Sequence, residues 1–264
     1  MSRKVTIHDV AREAGVSAAT VSYVINNRED QSISEQTKQK IWHVINMLNY
    51  KPSVFAKNLR SSSESKFIAV CCDGDDTLRR TEFVSIVNYL SAAFGDNYGI
   101  LFMSKPYDKR ITNADAIIAC DVSKETFYQI GENNYVPLIA FDSLIDDKLF
   151  FQITADFDKL KAEAEEHFGE NYTFVCITPA DVALGRKIEK SFPAVIFVNT
   201  LNELASLHVD NVFTAQKIIA DFFESKGSNV YFCERLYVDK CNKTVQCVQQ
   251  AFSREPFDVH FYEV

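Results

Sequence analysis

The sequence has 264 residues, 47% of them hydrophobic, and this length predicts one large domain together with a small one. No apolar run approaches the roughly 18 residues of a membrane span, and the N-terminal MSRKVTIHDV lacks the apolar segment of a secretory signal, so neither a membrane partner nor export is expected. The seven cysteines show no paired zinc-site spacing and no dense disulfide framework, which predicts buried free thiols in a reducing cytoplasm, with no metal and no cofactor.

Charge is distributed unevenly along the chain. Residues 1–63 carry nine lysines and arginines against five aspartates and glutamates, whereas residues 64–264 carry nineteen against thirty-one. The first segment is therefore +4 and the second −12, within a total of −8. A basic head on an acidic body predicts a polyanionic partner that binds the head alone.

Three helix patterns fill the basic head. In the first, Thr6 and Asp9 have the spacing of a capping box, and apolar residues follow at helical spacing over residues 7–14. A glycine-containing turn leads to the second pattern, SAATVSYVINN, for which Ser17 is a good N-cap. Ser34 is placed to cap the third.

Two short helices joined by such a turn indicate a helix-turn-helix, in which the second helix reads DNA. The outward positions of that helix are predicted to be small or polar, without an acidic side chain, so they could approach phosphates and base edges closely. These positions are Ala18, Ala19, Thr20, Ser22, Tyr23 and Asn26.

The next stretch, YKPSVFAKNLRSSSES, interleaves an apolar helical stripe with basic residues and then runs into serines. A helix of about eight residues is too short to be stable alone in water, so it should fold only against a partner. The predicted organisation is a DNA-binding domain at 1–48, a short helix and linker at 49–63, and an α/β core at 64–264.

The core alternates strand and helix patterns. The predicted strands are FIAVCC, YGILFMS, ADAIIAC, VPLIAFD, YTFVCI, PAVIFVN and SNVYFC, and the helix patterns include EFVSIVNYLSAAF, DFDKLKAEAEEHF and FTAQKIIADFF. Near-continuous apolar strands are typical of sheets covered on both faces, so we expect an open α/β sheet in two lobes. The stretch from VPLIAFD to YTFVCI resembles that from PAVIFVN to SNVYFC, through duplication or through the shared logic of two α/β lobes.

The segments TIHDVAREAGVSAATVSYVINN, ISEQTKQKI and LNYKPSVFAKNL, in this order over about residues 5–60, resemble the DNA-binding region of the LacI/GalR family of bacterial transcription regulators. The resemblance implies a small all-α helix-turn-helix domain, a hinge helix and a two-lobed α/β periplasmic-binding-protein-like core, which is short here. It further implies a nucleoid-associated cytoplasmic regulator, most often a repressor, that binds a palindromic double-stranded DNA operator as a homodimer. A small-molecule effector, a sugar or another metabolite, is the further partner that it implies.

The resemblance also assigns roles to residues of the DNA-binding region. Positions matching contacts to the DNA backbone are Thr6, Ser17, Thr20, Ser22 and Asn26, and those matching base readers are Ala18, Ala19 and Tyr23. Leu59 stands where the family inserts a leucine between central base pairs, and Lys57 and Arg60 would hold the groove beside it. Lys51 and Ala56 complete the predicted DNA site. Tyr23 replaces an arginine that is frequent in the family, which removes a bidentate guanine reader.

Ligands of such cores bind at the carboxyl ends of strands, between the lobes. The residues predicted for an effector site are Asp73, Asp75, Asp142, Arg186 and Asn199. Thr200 follows Asn199 where the family commonly has an aspartate. Each aspartate at a strand end is equally expected as an ordinary solvated turn residue.

Two alternatives concern the core. The motif DGDDTL, which ends a strand, resembles the nucleophile loop of haloacid-dehalogenase-like phosphatases, in which Asp73 would attack phosphate and Asp75 would act as acid and base beside Mg²⁺. No acidic metal motif follows downstream, so we expect no catalytic residue and no enzyme. The other alternative is a core that dimerises without binding an effector.

The hinge assignment predicts a selective loss of binding. Leu59→Ala should weaken operator binding by roughly tenfold or more, because an apolar wedge offsets unstacking that costs a few kcal/mol per step. Nonspecific binding, which phosphate contacts dominate, should stay nearly unchanged. Fluorescence anisotropy with operator and random duplexes tests this, and an equal loss on both would contradict the wedge.

Overall fold

The computed structural model describes residues 6–25, 33–48, 66–74, 76–105, 107–253 and 257–264. It divides the chain into two compact units, Met1–Ser65 and Lys66–Val264. The hinge segment predicted at 49–63 lies outside the described residues, so its structure stays a prediction.

The first unit contains three helices, α1 (Ile7–Ala14), α2 (Ala18–Ile25) and α3 (Glu35–Met47). The predicted caps are confirmed. The Asp9 carboxylate accepts from the Thr6 N–H at 2.9 Å, and the Ser17 hydroxyl accepts from the Thr20 N–H at 3.0 Å. Ser34 accepts from the N–H of residue 37 at 3.2 Å. These side chains satisfy N–H groups that a helix start leaves without intrahelical partners.

Each helix of this unit contributes an apolar side to one small core. Its buried members are Val10, Ala11, Ala14, Val21, Val24, Ile41, Val44 and Ile45. The turn between α1 and α2 depends on Gly15, whose φ of +66° lies in the left-handed region that glycine tolerates best. The short turn brings α2 back against α1 and α3 and leaves its other side to solvent.

The second unit is α/β. Its strands are β1 (Lys66–Cys72), β2 (Tyr98–Ser104), β3 (Ala116–Cys120), β4 (Leu138–Phe141), β5 (Phe151–Thr154), β6 (Thr173–Ile177), β7 (Val195–Val198), β8 (Asn211–Thr214), β9 (Asn229–Phe232) and β10 (Phe261–Glu263). Its helices are α4 (Thr77–Phe94), α5 (Lys124–Asn133), α6 (Phe157–Phe168), α7 (Val182–Ser191), α8 (Leu201–Ser206), α9 (Lys217–Lys226) and α10 (Arg235–Ser253).

The strands form two parallel sheets, which define two lobes. The first sheet has the order β10-β5-β4-β3-β1-β2 and the second the order β7-β6-β8-β9. Both are doubly wound, and the strand order reverses between β1 and β3 in the first sheet and between β6 and β8 in the second. Such reversal points open a crevice at the carboxyl ends of the strands, where ligands of α/β proteins bind.

Helices cover both faces of each sheet. In the first lobe α4 and α10 pack on one face and α5 on the other, whereas in the second α6 and α7 oppose α8 and α9. Coverage on both faces explains why the strands are almost uniformly apolar.

The seven cysteines are all free and buried, as predicted. Burial raises the pKa of the Cys71 thiol to about 12.

All seven predicted strands are present, but the sequence reading missed β5, β8 and β10. One helix prediction was wrong at its start. Phe213 and Thr214 of FTAQKIIADFF belong to β8, where both are fully buried, and α9 begins only at Lys217. Burial between two neighbouring strands therefore decides their conformation over the apparent helical spacing.

The two stretches that resemble each other occupy different places in the sheets. The first copy runs from β4 and β5 in the first sheet to β6 in the second, whereas β7, β8 and β9 of the second copy share one sheet. The two stretches therefore do not form equivalent structural units. Within the described residues, no helix is both long and apolar enough to cross a membrane.

Candidate functional sites

The exposed side of α2 is the candidate DNA-reading surface of the first unit. Ser17 and Ala19 are exposed, and Ala18, Thr20 and Tyr23 are partly exposed. The helix, AATVSYVI, carries no charged side chain. Small residues at its start leave the backbone N–H groups of the first turn accessible, and such groups favour anions.

One residue of the predicted outward face was misplaced. Ser22 is buried, with 8% of its surface exposed, because α2 packs against both α1 and α3 and buries a wide side. Thr6 is exposed at the start of α1. The remaining predicted DNA-binding residues lie outside the described part of the chain: Asn26, Lys51, Ala56, Lys57, Leu59 and Arg60.

The second unit contains a cavity of about 820 Å³, measured out to its open mouth, between the two lobes. It lies where the reversal points of both sheets meet, because Cys72 and Cys120 line it from β1 and β3, and Cys176 lines it from β6. Ala215 and Gln216, which follow β8, complete that edge. The position is the one that the strand order predicts for a ligand site.

Arg79, in the first turn of α4, joins the two lobes at this cavity. Its guanidinium donates to the Asp121 carboxylate after β3 and to the carbonyl oxygen of Thr178 after β6, the latter at 2.5 Å. Burial lowers the pKa of Arg79 from its ordinary value, and neighbouring Asp76 opposes that effect. A buried guanidinium needs such acceptors, because leaving its donors unpaired would cost several kcal/mol.

Further contacts fasten the same junction. Asp121 accepts from the Ala180 N–H at 2.8 Å, and Asp181, the N-cap of α7, accepts from the Leu144 N–H. Leu78, fully buried beside Arg79, packs into the core of the second lobe. The start of α4 therefore belongs to both lobes.

Gly74 makes room for the arginine. Its φ of +116° favours glycine, and a Cβ built there would lie 2.3 Å from the Cδ of Arg79. This glycine belongs to the motif that resembled a phosphatase loop. Its role in the structure is to let the Arg79 side chain pass close to the backbone.

The predicted effector residues divide between the cavity and the surface. Asp73 and Asp142 line the cavity, whereas Asp75 lies outside the described residues. Arg186 and Asn199 are exposed and do not line it. Arg186 faces away because its helix turns Leu184 and Ile188, four residues apart, toward the cavity.

Both aspartates in the cavity already have partners. Asp73 accepts from the Thr126 hydroxyl at 2.8 Å and pairs with Lys105 at 2.5 Å, and Asp142 pairs with Lys240 at 2.5 Å. Among the described residues, no group of three or more His, Cys, Asp or Glu side chains could hold a metal ion.

Sequence reasoning missed a second polar group of the cavity, which comes from helices. Glu82 of α4 accepts from the Tyr237 hydroxyl of α10, and the Tyr237 oxygen accepts from the Lys217 N–H at 3.0 Å. Burial raises the pKa of Glu82 to about 7, although the hydrogen bond from Tyr237 opposes the shift. The two residues lie 155 positions apart in sequence, so no local spacing connects them.

The chain thus combines a helix-turn-helix unit with a two-lobed α/β unit, and comparisons with known proteins find similar sequences and folds. Residues 6–53 match the family model "Bacterial regulatory proteins, lacI family". The "Probable HTH-type transcriptional repressor ExuR" of Bacillus subtilis (strain 168) is 30% identical over 175 residues, 62% of this chain and 51% of that protein. The "Catabolite repressor/activator" of Escherichia coli (strain K12) is also 30% identical over 175 residues, 61% of this chain and 51% of that protein.

Comparison with solved structures finds a similar fold. The chain matches the crystal structure of the Lac repressor dimer bound to operator and the anti-inducer ONPF, with a TM-score of 0.51, 14% identity and coverage of 99% of this chain and 96% of that one. The match to the lacI family model thus covers the helix-turn-helix unit, and the likeness to the Lac repressor structure extends the shared fold to the two-lobed α/β core, as the sequence predicted. The chain spans about half the length of the curated relatives that it matches.

The close approach of the Arg79 side chain to the Gly74 backbone can be tested by substitution. Gly74→Ala should lower the free energy of unfolding by about 1–3 kcal/mol through backbone strain. Displacement of the Arg79 side chain should lower it further. Gly95→Ala is the matched control, because Gly95 also has a positive φ but open space around its Cβ position. Urea unfolding followed by far-UV circular dichroism measures both. Equal losses of unfolding free energy in the two variants would contradict the proposed role of Gly74 in accommodating Arg79.

Glu82 predicts a particular pH dependence. Its pKa is raised in the folded state, so deprotonation favours the unfolded chain, and this group's contribution is lost as pH rises from about 4.5 through 7. Glu82→Gln should therefore gain about 2–3 kcal/mol of stability relative to the parent between pH 4.5 and pH 8. Urea unfolding of both proteins at several pH values tests this, and parallel profiles would show that Glu82 titrates normally.

Proposed function

We propose that this protein is a sequence-specific DNA-binding transcription regulator that acts as a repressor by binding a palindromic operator as a homodimer. The observation that carries the proposal is the exposed start of α2, which is uncharged, built from small residues and part of a helix-turn-helix that matches the family model. Such a surface lets phosphates and base edges approach the helix closely.

The names of the relatives support this assignment. ExuR of Bacillus subtilis is named a probable transcriptional repressor, and the solved Lac repressor is a dimer bound to operator. On this chain the DNA-binding residues would be Ser17, Ala18, Ala19, Thr20 and Tyr23. The hinge residues predicted from the sequence would add contacts in the minor groove.

A second copy of the chain is the proposed partner of the edge strand β2. This strand ends the first sheet, and an open edge offers backbone N–H and C=O groups for pairing. Phe102 on β2 is 52% exposed and Val84 on α4 is 54% exposed. The Phe102 ring packs on that of the buried Phe83 of α4, with 5.0 Å between the ring centroids, and it forms an exposed apolar patch at this edge. Burying it between two copies would bring two helix-turn-helix units to the half-sites of a palindrome.

The interlobe cavity is the proposed effector site. Its walls come from both lobes, and it lies at the carboxyl ends of the strands where ligands of α/β proteins bind. A ligand that prefers one arrangement of the lobes would shift the equilibrium between states of different operator affinity. A core that only dimerises remains the alternative, and it would bind no small molecule there.

Ala19→Asp tests the DNA-reading surface. An acidic residue in the first turn of a helix favours the fold through the helix dipole but repels phosphate, so operator affinity should fall at least tenfold while the thermal midpoint is kept. Electrophoretic mobility shift and circular dichroism provide the two measurements. Gln39→Glu adds the same single negative charge at an exposed position of α3 and should have a much smaller effect. Unchanged operator binding by Ala19→Asp would refute the proposed surface.

A further inference from the structure

The interlobe cavity combines an apolar wall with a small set of charged groups. The wall comes from side chains of both lobes, Phe83, Phe157, Leu160, Phe174, Leu184 and Ile188. A polar ligand that turned hydroxyl groups toward this wall would leave them without hydrogen bonds, at a cost of about 1–3 kcal/mol for each buried group. The wall therefore selects a ligand with an apolar body.

The charged groups that line the cavity are nearly all paired within the protein. Arg79 pairs with Asp121, Lys240 with Asp142, and Asp73 with Lys105. Gln216 is also engaged, because its carbonyl oxygen accepts from the Ile177 N–H at 2.6 Å. These groups offer little to a sugar unless existing contacts are broken.

Glu82 is the exception among the described charged groups of the cavity. It is 4% exposed and forms no ion pair with a described lysine or arginine; its partners are the Tyr237 hydroxyl and the Ile218 N–H, the latter at 3.5 Å. Lys240 acts on Glu82 only from a distance, because its ammonium contacts Asp142, so the carboxylate has no contacting counter-ion and burial raises its pKa.

We infer that the cavity binds a small apolar amine, whose ammonium group pairs with the Glu82 carboxylate while its hydrocarbon part lies against the Phe157 and Ile188 wall. The ammonium supplies the missing counter-ion, and the apolar body replaces water along the wall. An anion would be repelled by Glu82, and a neutral ligand would leave the carboxylate without a contacting counter-ion.

Binding of the amine should release protons near neutral pH, because an adjacent cation favours the ionised carboxylate. The groups that face Glu82 are Tyr237 and Lys240 of α10, Asp142 after β4, the Ile218 amide of α9 and Tyr89 on its own helix. The hydrogen bond to Glu234 raises the pKa of Tyr89, and burial raises the pKa of Tyr237, so both move further from neutrality. Glu82 is therefore the group expected to change protonation.

Isothermal titration calorimetry on the full chain tests the inference with four probes: benzylamine, its neutral isostere benzyl alcohol, benzoate, and methyl galactoside. At pH 8 benzylamine should bind at least tenfold more tightly than benzyl alcohol. Benzoate and methyl galactoside should show no measurable binding. At pH 7 the heat for benzylamine should vary with the ionisation enthalpy of the buffer, which reports the released protons.

Two variants locate the effect. Glu82→Gln should bring the affinities of benzylamine and benzyl alcohol within about twofold of each other and remove the buffer dependence. Glu234→Gln makes the same change at an exposed position outside the cavity and should behave like the parent. Ile188→Phe fills the apolar wall and should weaken both probes, which shows that they bind in this cavity.

The inference is overturned if benzyl alcohol binds as tightly as benzylamine, if the preference for the amine persists in Glu82→Gln, if only methyl galactoside binds, or if no probe binds. The inference rests on the proposed effector site and names the class of ligand that this site would bind. Because these titrations contain no DNA, their failure would leave operator binding untouched, and failure of operator binding would leave the cavity assignment standing.

Discussion

The buried guanidinium of Arg79 is the constraint on which the α/β core depends. It occupies the junction of two sheets, and its donors are satisfied only when Asp121 of one lobe and the Thr178 carbonyl of the other stand on either side of it. Gly74 leaves the space through which the side chain passes, and Leu78 anchors the same turn in the apolar core of the second lobe. Residues at the start of α4 therefore contact both lobes beside the cavity.

Two different electrostatic arrangements serve the two units. In the helix-turn-helix unit the reading helix carries no charge, so the attraction to DNA would come from the surrounding basic residues and from its own N–H groups. In the core, Arg79 pairs with Asp121 and Lys240 pairs with Asp142, whereas Glu82 accepts from the uncharged Tyr237 hydroxyl. The acidic total of residues 64–264 would repel DNA, which favours binding through the basic head.

Local patterns made much of the fold predictable. Helix caps at Thr6, Ser17 and Ser34 depend on neighbours three residues away. The seven predicted strands are recognisable as near-continuous apolar runs, because both faces of their sheets are buried. Features set by tertiary packing were not predictable: Phe213 and Thr214 became strand because β8 fits between two others, and Ser22 turned inward because α2 has two packing partners. Of the cavity, strand ends gave Asp73 and Asp142, whereas Glu82 and Lys240 come from distant helices whose meeting no sequence spacing encodes. Arg186 and Asn199 followed from a family resemblance that is weak in the core.

Selection of bound fragments from genomic DNA by the purified protein tests the central claim most directly. Successive rounds at physiological salt should enrich a two-fold symmetric sequence, with half-sites separated as two helix-turn-helix units of a dimer require. The enriched fragment should bind at least a thousandfold more tightly than random duplex DNA of the same length. Enrichment of no common sequence, or equal affinity for enriched and random fragments, would contradict the account of this protein as an operator-binding regulator.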